Sequence, residues 1–355
     1  MIIKNISLKN FRNIKDINFS PDSEMNVICG ENAQGKTNII EAIWLLTGAK
    51  SFRASKDSAF IKFGEKKAII SSVFLSEDIE KEEKIEIGEK KRVFLNEKKL
   101  SLSSNIAGNF RAIVFSPNDL SLVENGPSVR RKFCDTAIGQ LYPSFISVLR
   151  EYNRAVFQRN CIIKDYKYDA SVSVMLDVFE KEIAEKGEKI ILYRKRFIES
   201  IKNFVGSIYN EISGGREELD IEYIPSFSGE NLEEELKKSR KEDMNCGCTS
   251  IGPHRDDIEF KINGISARLF ASQGQKRSIA IALKISEAEV INKISGEYPV
   301  CLLDDIMSEL DPLRQNYILN HIKGKQVFLS CCDPSNIKNL NKGKIFNIKK
   351  GEIKE

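Results

Sequence analysis

The residues whose types and spacing best suit chemistry are Gly30-Glu31-Asn32-Ala33-Gln34-Gly35-Lys36-Thr37. A glycine, four residues, then Gly-Lys-Thr is a phosphate-binding pattern. Unpaired backbone N–H groups and a helix N-terminus cradle the anion, and the glycines let the main chain turn and approach it without a Cβ in the way. The Lys36 ammonium suits the β- and γ-phosphates of a nucleoside triphosphate, and the Thr37 hydroxyl suits Mg²⁺. A second pair of candidates is Asp304-Asp305, after the apolar run Pro299-Val300-Cys301-Leu302-Leu303. Ligands of open α/β sheets collect at the C-terminal ends of such strands. Asp304 is placed to hold Mg²⁺ through water beside Thr37, and Asp305 to orient or deprotonate an attacking water. Two acids after a buried strand also serve as a helix cap, and the residues alone leave that reading open.

This chemistry needs the loop between a strand and a helix, and the flanking residues supply both. Met25-Asn26-Val27-Ile28-Cys29 reads as a short buried strand, and apolar residues recur at helical spacing over 38–46. Ile3, Ile6 and Leu8, then Ile14, Ile17 and Phe19, mark two earlier strands joined through Asn10-Phe11-Arg12-Asn13. Further strands are predicted over 68–75, 84–87, 92–95 and 111–115. From about 119 to 213 the pattern turns helical. Val172, Leu176, Phe179, Ile183, Ile190, Phe197, Ile201, Phe204 and Ile208 form one apolar stripe on a long helix, with Gly187 as its weak point. Gly214-Gly215 ends it, 220–224 returns to strand, and 231–244 is a charged helix or a mobile segment. Beyond Ile251 the expected order is a strand over 257–262, a helix over 273–294, the apolar strand over 299–303, a helix over 313–322, a strand over 326–330 and a hairpin about Lys349-Lys350-Gly351. The predicted class is α/β. An ATPase lobe in two parts, 1–118 and 246–355, carries an inserted helical arm domain, 119–245.

The 355 residues allow roughly two domains. A formal charge of +4 is small beside 55 basic and 51 acidic residues, so local clusters must decide whether nucleic acid binds. The eight cysteines, at 29, 134, 161, 246, 248, 301, 331 and 332, include no Cys-x-x-Cys pair, and only two histidines exist to complete a zinc site. They read as reduced thiols of a cytosolic protein. The N-terminus lacks a signal-peptide pattern, and no run approaches the ~18 apolar residues that span a bilayer. A soluble, cytoplasmic protein with no membrane partner is expected.

Ala271-Ser272-Gln273-Gly274-Gln275-Lys276-Arg277 resembles the signature sequence of ABC-type ATPases, in which a serine and a glycine open a helix aimed at a γ-phosphate. A Ser272 N-cap explains it equally well. Ser308-Glu309-Leu310-Asp311 resembles the ABC D-loop. With Leu8-Lys9-Asn10-Phe11-Arg12-Asn13, Lys50-Ser51-Phe52-Arg53, Phe115-Ser116-Pro117-Asn118-Asp119-Leu120, Gly126-Pro127-Ser128-Val129-Arg130-Arg131-Lys132-Phe133 and Gly252-Pro253-His254-Arg255-Asp256-Asp257, these motifs resemble, nearly end to end, the RecF family of DNA-repair ATPases, relatives of the SMC-type chromosome ATPases. The resemblance implies an ABC-type P-loop ATPase head with an inserted α-helical arm. It implies ATP and Mg²⁺ as cofactors. ATP would be held by Gly30, Asn32, Gly35, Lys36, Thr37, Asn38 and Arg12, with Ser272 and Gly274 supplied in trans. Mg²⁺ would sit at Thr37 and Asp304, and Asp305 and Lys36 would be catalytic. The resemblance also implies an ATP-dependent homodimer, sequence-independent binding of DNA at gaps or single-strand/double-strand junctions, and RecR- and RecO-like partners in recombinase loading.

Two departures point to slow hydrolysis. Asp304-Asp305 stands where many ABC ATPases have Asp-Glu, and Ser330-Cys331-Cys332-Asp333 stands where many have a switch histidine. His254 reads as structural or DNA-facing. Three basic clusters are candidates for DNA phosphates: Arg130-Arg131-Lys132, Arg194-Lys195-Arg196 and Lys237-Lys238-Ser239-Arg240-Lys241. Arg130 and Arg131 are the preferred DNA-binding pair, and a solvated charged surface is the alternative for each cluster. A transport-type ABC ATPase subunit and an ATP-switched protein scaffold are the competing functions.

Overall fold

A computed structural model of the chain describes residues 1–53, 56–165, 172–332 and 343–354. In chain order the elements are β1 (Ile2–Phe11), β2 (Ile14–Phe19), β3 (Met25–Cys29), α1 (Lys36–Leu45), β4 (Ala68–Ser76), β5 (Ile79–Ile87), β6 (Arg92–Leu95), β7 (Lys98–Lys99), β8 (Ala112–Phe115), α2 (Ser121–Glu124), α3 (Pro127–Leu141), α4 (Pro143–Asp165), α5 (Val172–Ser213), β9 (Leu219–Ile224), α6 (Leu232–Cys246), β10 (Asp257–Ile262), β11 (Ile265–Ser266), α7 (Ala267–Phe270), α8 (Gln273–Ser295), β12 (Val300–Asp304), α9 (Pro312–His321), β13 (Val327–Cys331), β14 (Lys344–Lys349) and β15 (Glu352–Lys354). They form two compact units, one from 1–120 with 280–355 and the other from 121–279.

The first unit holds two six-stranded sheets whose sequences differ because their surroundings differ. In the order β2-β1-β4-β5-β6-β7 the strands pair antiparallel, and β4 alternates buried and half-buried residues along its length. The other sheet runs β15-β14-β3-β13-β12-β8, with parallel pairing from β14 to β8. Its strands β8 and β12 are buried at every position and are apolar up to Asp304 at the end of β12, as expected of a parallel sheet covered on both faces. Ile39, Ile40, Ile43 and Trp44 of α1 join Leu302 and Phe328 in the core. One buried side chain ties distant segments together. Gln326 accepts from the Ile3 N–H at 2.7 Å and donates to the carbonyls of Ile3 and Asp22 at 2.9 and 2.7 Å. The C-terminal hairpin forms where expected, with Lys350 and Gly351 at φ 53° and 75°, the left-handed pair a tight two-residue turn requires.

The second unit is mostly helical, with β9, β10 and β11 as a small antiparallel sheet. The apolar stripe on α5 is its seam. Leu176, Ile183, Ile190, Phe197, Ile201 and Ile208 are buried, and Phe179 and Phe204 are half-buried. The Val172 side chain and Asp333 lie outside the described residues. Gly187 is not a weak point. The helix runs through it unbroken, and a Cβ there would meet Leu232 Cδ2 at 2.6 Å and Tyr152 Cε2 at 3.2 Å, so the missing side chain lets neighbouring elements approach. Of residues 231–244, all but the first fall in a helix, α6, which Asn231 caps by accepting from the Glu233 and Glu234 N–H groups.

Residues 246–279 pack with the helical unit, where sequence pattern assigns them to the second part of the ATPase lobe. The cause is β10, which pairs antiparallel with β9 from Asp257 opposite Ile224 to Ile262 opposite Leu219. Periodicity proposes such a strand but does not name its neighbour. Among the described residues no helix is long and apolar enough to cross a membrane.

Candidate active site

The phosphate-loop residues sit where β3 ends and α1 begins, and each glycine has a steric reason. Gly35 has φ +116°, and a Cβ there would meet Asn13 Oδ1 at 2.8 Å. At Gly30 a Cβ would meet the Ile348 carbonyl at 2.4 Å, because β14 lies tight against the strand. The loop is buttressed from two sides. The hairpin tip between β1 and β2 supplies Asn13, whose amide donates to the Gln34 carbonyl at 3.1 Å and whose Oδ1 accepts from Asn38 at 2.7 Å. From the C-terminal hairpin, the Gly351 N–H donates to the Gln34 carbonyl at 3.0 Å.

In front of the loop is a cavity of about 410 Å³ lined by Arg12, Asn13, Asn32, Ala33, Gly35, Lys36, Thr37, Asn38, Arg53 and Asp305. Lys36 is anchored from below, its Nζ donating to the carbonyls of Gly30 at 2.7 Å and Glu31 at 3.1 Å. Arg12 is held by the buried Glu41 through two hydrogen bonds of 2.5 and 2.9 Å, with its guanidinium over the Phe60 ring. Ser51 donates to the same Glu41 carboxylate. Three cations therefore face one cavity, a field suited to a polyphosphate.

Asp304 and Asp305 close the site, and they are not alike. Asp304 is buried at the end of β12. Burial raises its pKa, while hydrogen bonds from the Thr37 and Ser330 hydroxyls and the charge of Arg53 oppose that rise. A threonine hydroxyl bonded to a carboxylate is an all-oxygen pair that fits a hard cation such as Mg²⁺. Asp305 stands at φ 50°, an uncommon conformation for a non-glycine residue, and lines the cavity. Its N–H donates to Ser330 Oγ at 2.9 Å, and Ser330 Oγ donates to Asp304 Oδ1 at 3.0 Å. One serine on β13 thus orients both acids. The helix-cap alternative does not describe Asp305, whose side chain makes no cap hydrogen bond, whereas Asp311 caps α9 by accepting from the Leu313 and Arg314 N–H groups. Asn13, Ser51 and Ser330 lie in stretches that carry the resemblance or form the switch region but are not among the expected site residues, and Glu41 lies in none of them. Only their adjacency in space reveals them.

In the second unit Ser272 and Gly274 open α8. Ser272 and Gln275 form a reciprocal capping pair, with Ser272 N donating to Gln275 Oε1 at 2.7 Å and Gln275 N to Ser272 Oγ at 3.2 Å. The N-cap is real, and the Ser272 side chain is exposed. The two residues of the preferred DNA-binding pair are placed differently. Arg130 is buried and bidentate to Asp257 at 2.7 and 2.9 Å, with further bonds to the carbonyls of Leu122 and Asn125, so burial between acid and carbonyls removes it from any external phosphate. Arg131 is half-buried and donates to the Asp256 carbonyl. Arg194 is likewise buried on Asp135, while Lys132, Lys195 and Arg196 are exposed. Lys237, Lys238 and Arg240 pair with Glu233, Glu235, Asp177 and Glu180. His254 sits between the Tyr152 hydroxyl at 2.6 Å and the Thr249 carbonyl at 3.1 Å. Burial pushes its pKa down to about 4, so it is neutral near pH 7 and structural.

The family described as the RecF/RecN/SMC N terminal domain matches residues 2–353. The DNA replication and repair protein RecF of Agathobacter rectalis is 39% identical over 359 residues, covering 99% of each chain. A solved structure of the recombination mediator protein RecF-ATP in the RecFOR pathway superposes with a TM-score of 0.92 at 36% identity, covering 99% of this chain and 97% of that one. The Smc head domain of Pyrococcus furiosus, at 18% identity and a TM-score of 0.56, shares the fold. Because the likeness to RecF runs through both compact units and not through the phosphate loop alone, the chain belongs to the RecF family, within the wider RecF/RecN/SMC group of ABC-type ATPase folds.

Proposed function

We propose that this chain is a slow, DNA-stimulated ATPase of DNA repair and replication-fork maintenance. ATP binding at the loop drives a head-to-tail homodimer that clamps DNA at gaps or single-strand/double-strand junctions and works with RecO- and RecR-like partners. The observation that carries this is the convergence of Lys36, Thr37 and Asp305 on one cation-lined cavity, with Asp304 hydrogen-bonded to Thr37, in a chain akin end to end to a RecF with ATP. Lys36 and the loop N–H groups hold phosphate oxygens, and Arg12 and Arg53 add charge from the rim. Thr37 and Asp304 hold Mg²⁺, which neutralises phosphate charge when bound. Asp305 takes a proton from the attacking water. The exposed Ser272 and the half-buried Gly274 of a second chain complete each site at the helix N-terminus, so that the γ-phosphate bridges the two protomers. DNA phosphates are met by exposed cations of the helical unit such as Lys132, Lys195 and Arg196, not by Arg130.

The test is mass in solution and ATP turnover, with and without Mg-ATP and gapped DNA. Dimers with ATP, accumulation of the dimer in Asp305→Asn and failure to dimerise in Ser272→Arg are expected. Wild-type chains that stay monomeric under saturating Mg-ATP and gapped DNA would sink the clamp.

A further inference from the structure

Three cysteine sulfurs gather at the phosphate loop, and nothing in ATP chemistry calls for them. Cys29 is the last residue of β3, directly before Gly30, and Cys331 is its register partner on the parallel strand β13. Their sulfurs are 3.2 Å apart, and neither is in a disulfide. Neighbouring strands set Cα atoms about 4.8 Å apart, inside the span a disulfide bridges, so a bond needs the sulfurs to close by roughly 1.2 Å. Cys332 is exposed, with its sulfur 3.2 Å from Asn32 Oδ1 and 3.5 Å from Lys36 Nζ.

We propose that Cys29 and Cys331 form a reversible dithiol/disulfide pair whose closure shuts down ATP binding at the adjoining loop. The co-reactant is a small-molecule disulfide. The half-exposed Cys331 sulfur attacks one of its sulfurs and releases one thiolate. The Cys29 sulfur then attacks Cys331, which forms the Cys29–Cys331 bond and releases the second thiolate. The two thiol protons pass to the two released thiolates, so one disulfide is reduced as one is formed. The contact with Cys29 and burial hold the Cys331 thiol above its ordinary pKa, so exchange quickens as pH rises.

Tight seating of the strand turns this bond into a movement of the loop. β3 is clamped between β13 and β14, with Gly30 pressed on the Ile348 carbonyl, so drawing Cys29 toward β13 displaces the start of the phosphate loop. The first group to shift is the Gly30 carbonyl, which anchors Lys36 Nζ at 2.7 Å. The ATP half of the proposal rests on the function proposed above; the bond itself does not.

The experiment treats the full chain with cystamine. It maps peptides without reduction and measures ATP affinity by calorimetry before treatment, after it, and after dithiothreitol. A linked Cys29–Cys331 peptide, an affinity at least tenfold weaker and full recovery on reduction are expected. Cys29→Ala and Cys331→Ala, from opposite sides of the bond, should each abolish the link and make affinity insensitive to cystamine. Absence of the linked peptide, a mixed disulfide on Cys332 alone, or equal affinity in linked and reduced chains overturns the proposal. If the reduced chain binds no ATP, the function reading fails, and the peptide map still decides the pair.

Discussion

In the unit that carries the phosphate loop, Lys36 rests on two carbonyls and Arg12 on a buried glutamate, and both line the open cavity with Arg53. In the unit built from 121–279, the prominent arginines are enclosed. Arg159 of α4 is fully buried between Glu180 of α5 at 2.9 Å and Asp243 of α6 at 2.7 Å, with Thr249 at 2.9 Å. Arg130 and Arg194 are closed in on Asp257 and Asp135. The first arrangement supports a cation from behind and leaves its front to a ligand. The second surrounds it with acids of the same fold, so that it fastens helices together. Counting basic residues does not separate the two; the position of the matching acids does.

The largest effect should come from Arg159→Ala. It leaves Glu180 and Asp243 buried with a cation removed, which costs about 3–5 kcal/mol. Urea unfolding followed by circular dichroism should show the midpoint fall steeply, and an unmoved midpoint would break the contrast between the two units. Lys36→Ala should act on binding. With charge-assisted hydrogen bonds at roughly 1.5–3 kcal/mol each, ATP affinity drops about tenfold or more, and calorimetry reads it. Unchanged affinity would move the phosphates elsewhere.

A smaller effect of opposite sign is expected at Glu83. It is buried on β5, and among the described residues neither of its carboxylate oxygens has a partner. Burial raises its pKa well above the ordinary value, so the folded state favours the protonated acid. A raised folded pKa means stability is fully present below the unfolded value near 4.5 and is lost as pH rises toward the folded value. Glu83→Leu should therefore stabilise by about 1–3 kcal/mol at neutral pH and flatten that decline. Melting temperatures of both proteins from pH 5 to 8 test this, and parallel curves would contradict it. The smallest effect belongs to Lys237→Ala with Lys238→Ala. These are surface i,i+4 and i,i+3 pairs along one helix, for which no measurable change in unfolding midpoint is expected. When DNA affinity is measured across a range of salt concentrations, Arg130→Ala should leave the slope of log affinity against log salt unchanged; a slope shallower by about one unit would place that arginine on DNA.

What could be read from sequence was local. The loop, its strand and helix, the paired aspartates and the Lys350-Gly351 turn each announce themselves within ten residues or so, and the stripe on α5 announces itself by period. The first half of β5 did not. Ile79-Glu80-Lys81-Glu82-Glu83 looks like charged turn, and it is strand because β4 pairs with it from Ser76 to Ser72. Arg130 looked like a ligand for DNA because Asp257, its partner, is 127 residues away. Ser330, which orients both acids, lies in the stretch Ser330-Cys331-Cys332-Asp333, but nothing in that stretch points to Asp304 or Asp305. In each case the deciding group is distant in sequence and adjacent in space.

The way Gln326 clips onto Ile3 and Asp22 has a consequence for the order in which a growing chain acquires its parts. Both neighbours of β3, namely β13 and β14, are made long after it. As the ribosome extends the chain, the antiparallel sheet from β1 to β7 has all its strands early, and residues 121–279 emerge as one uninterrupted stretch. β3 meanwhile waits with both edges unpaired, a state that invites wrong pairing and slows folding. The phosphate loop, encoded well before β13 and β14, is thus assembled only after them. A product truncated before β13 would carry the sequence Gly30–Thr37 without the sheet that holds it open to ATP.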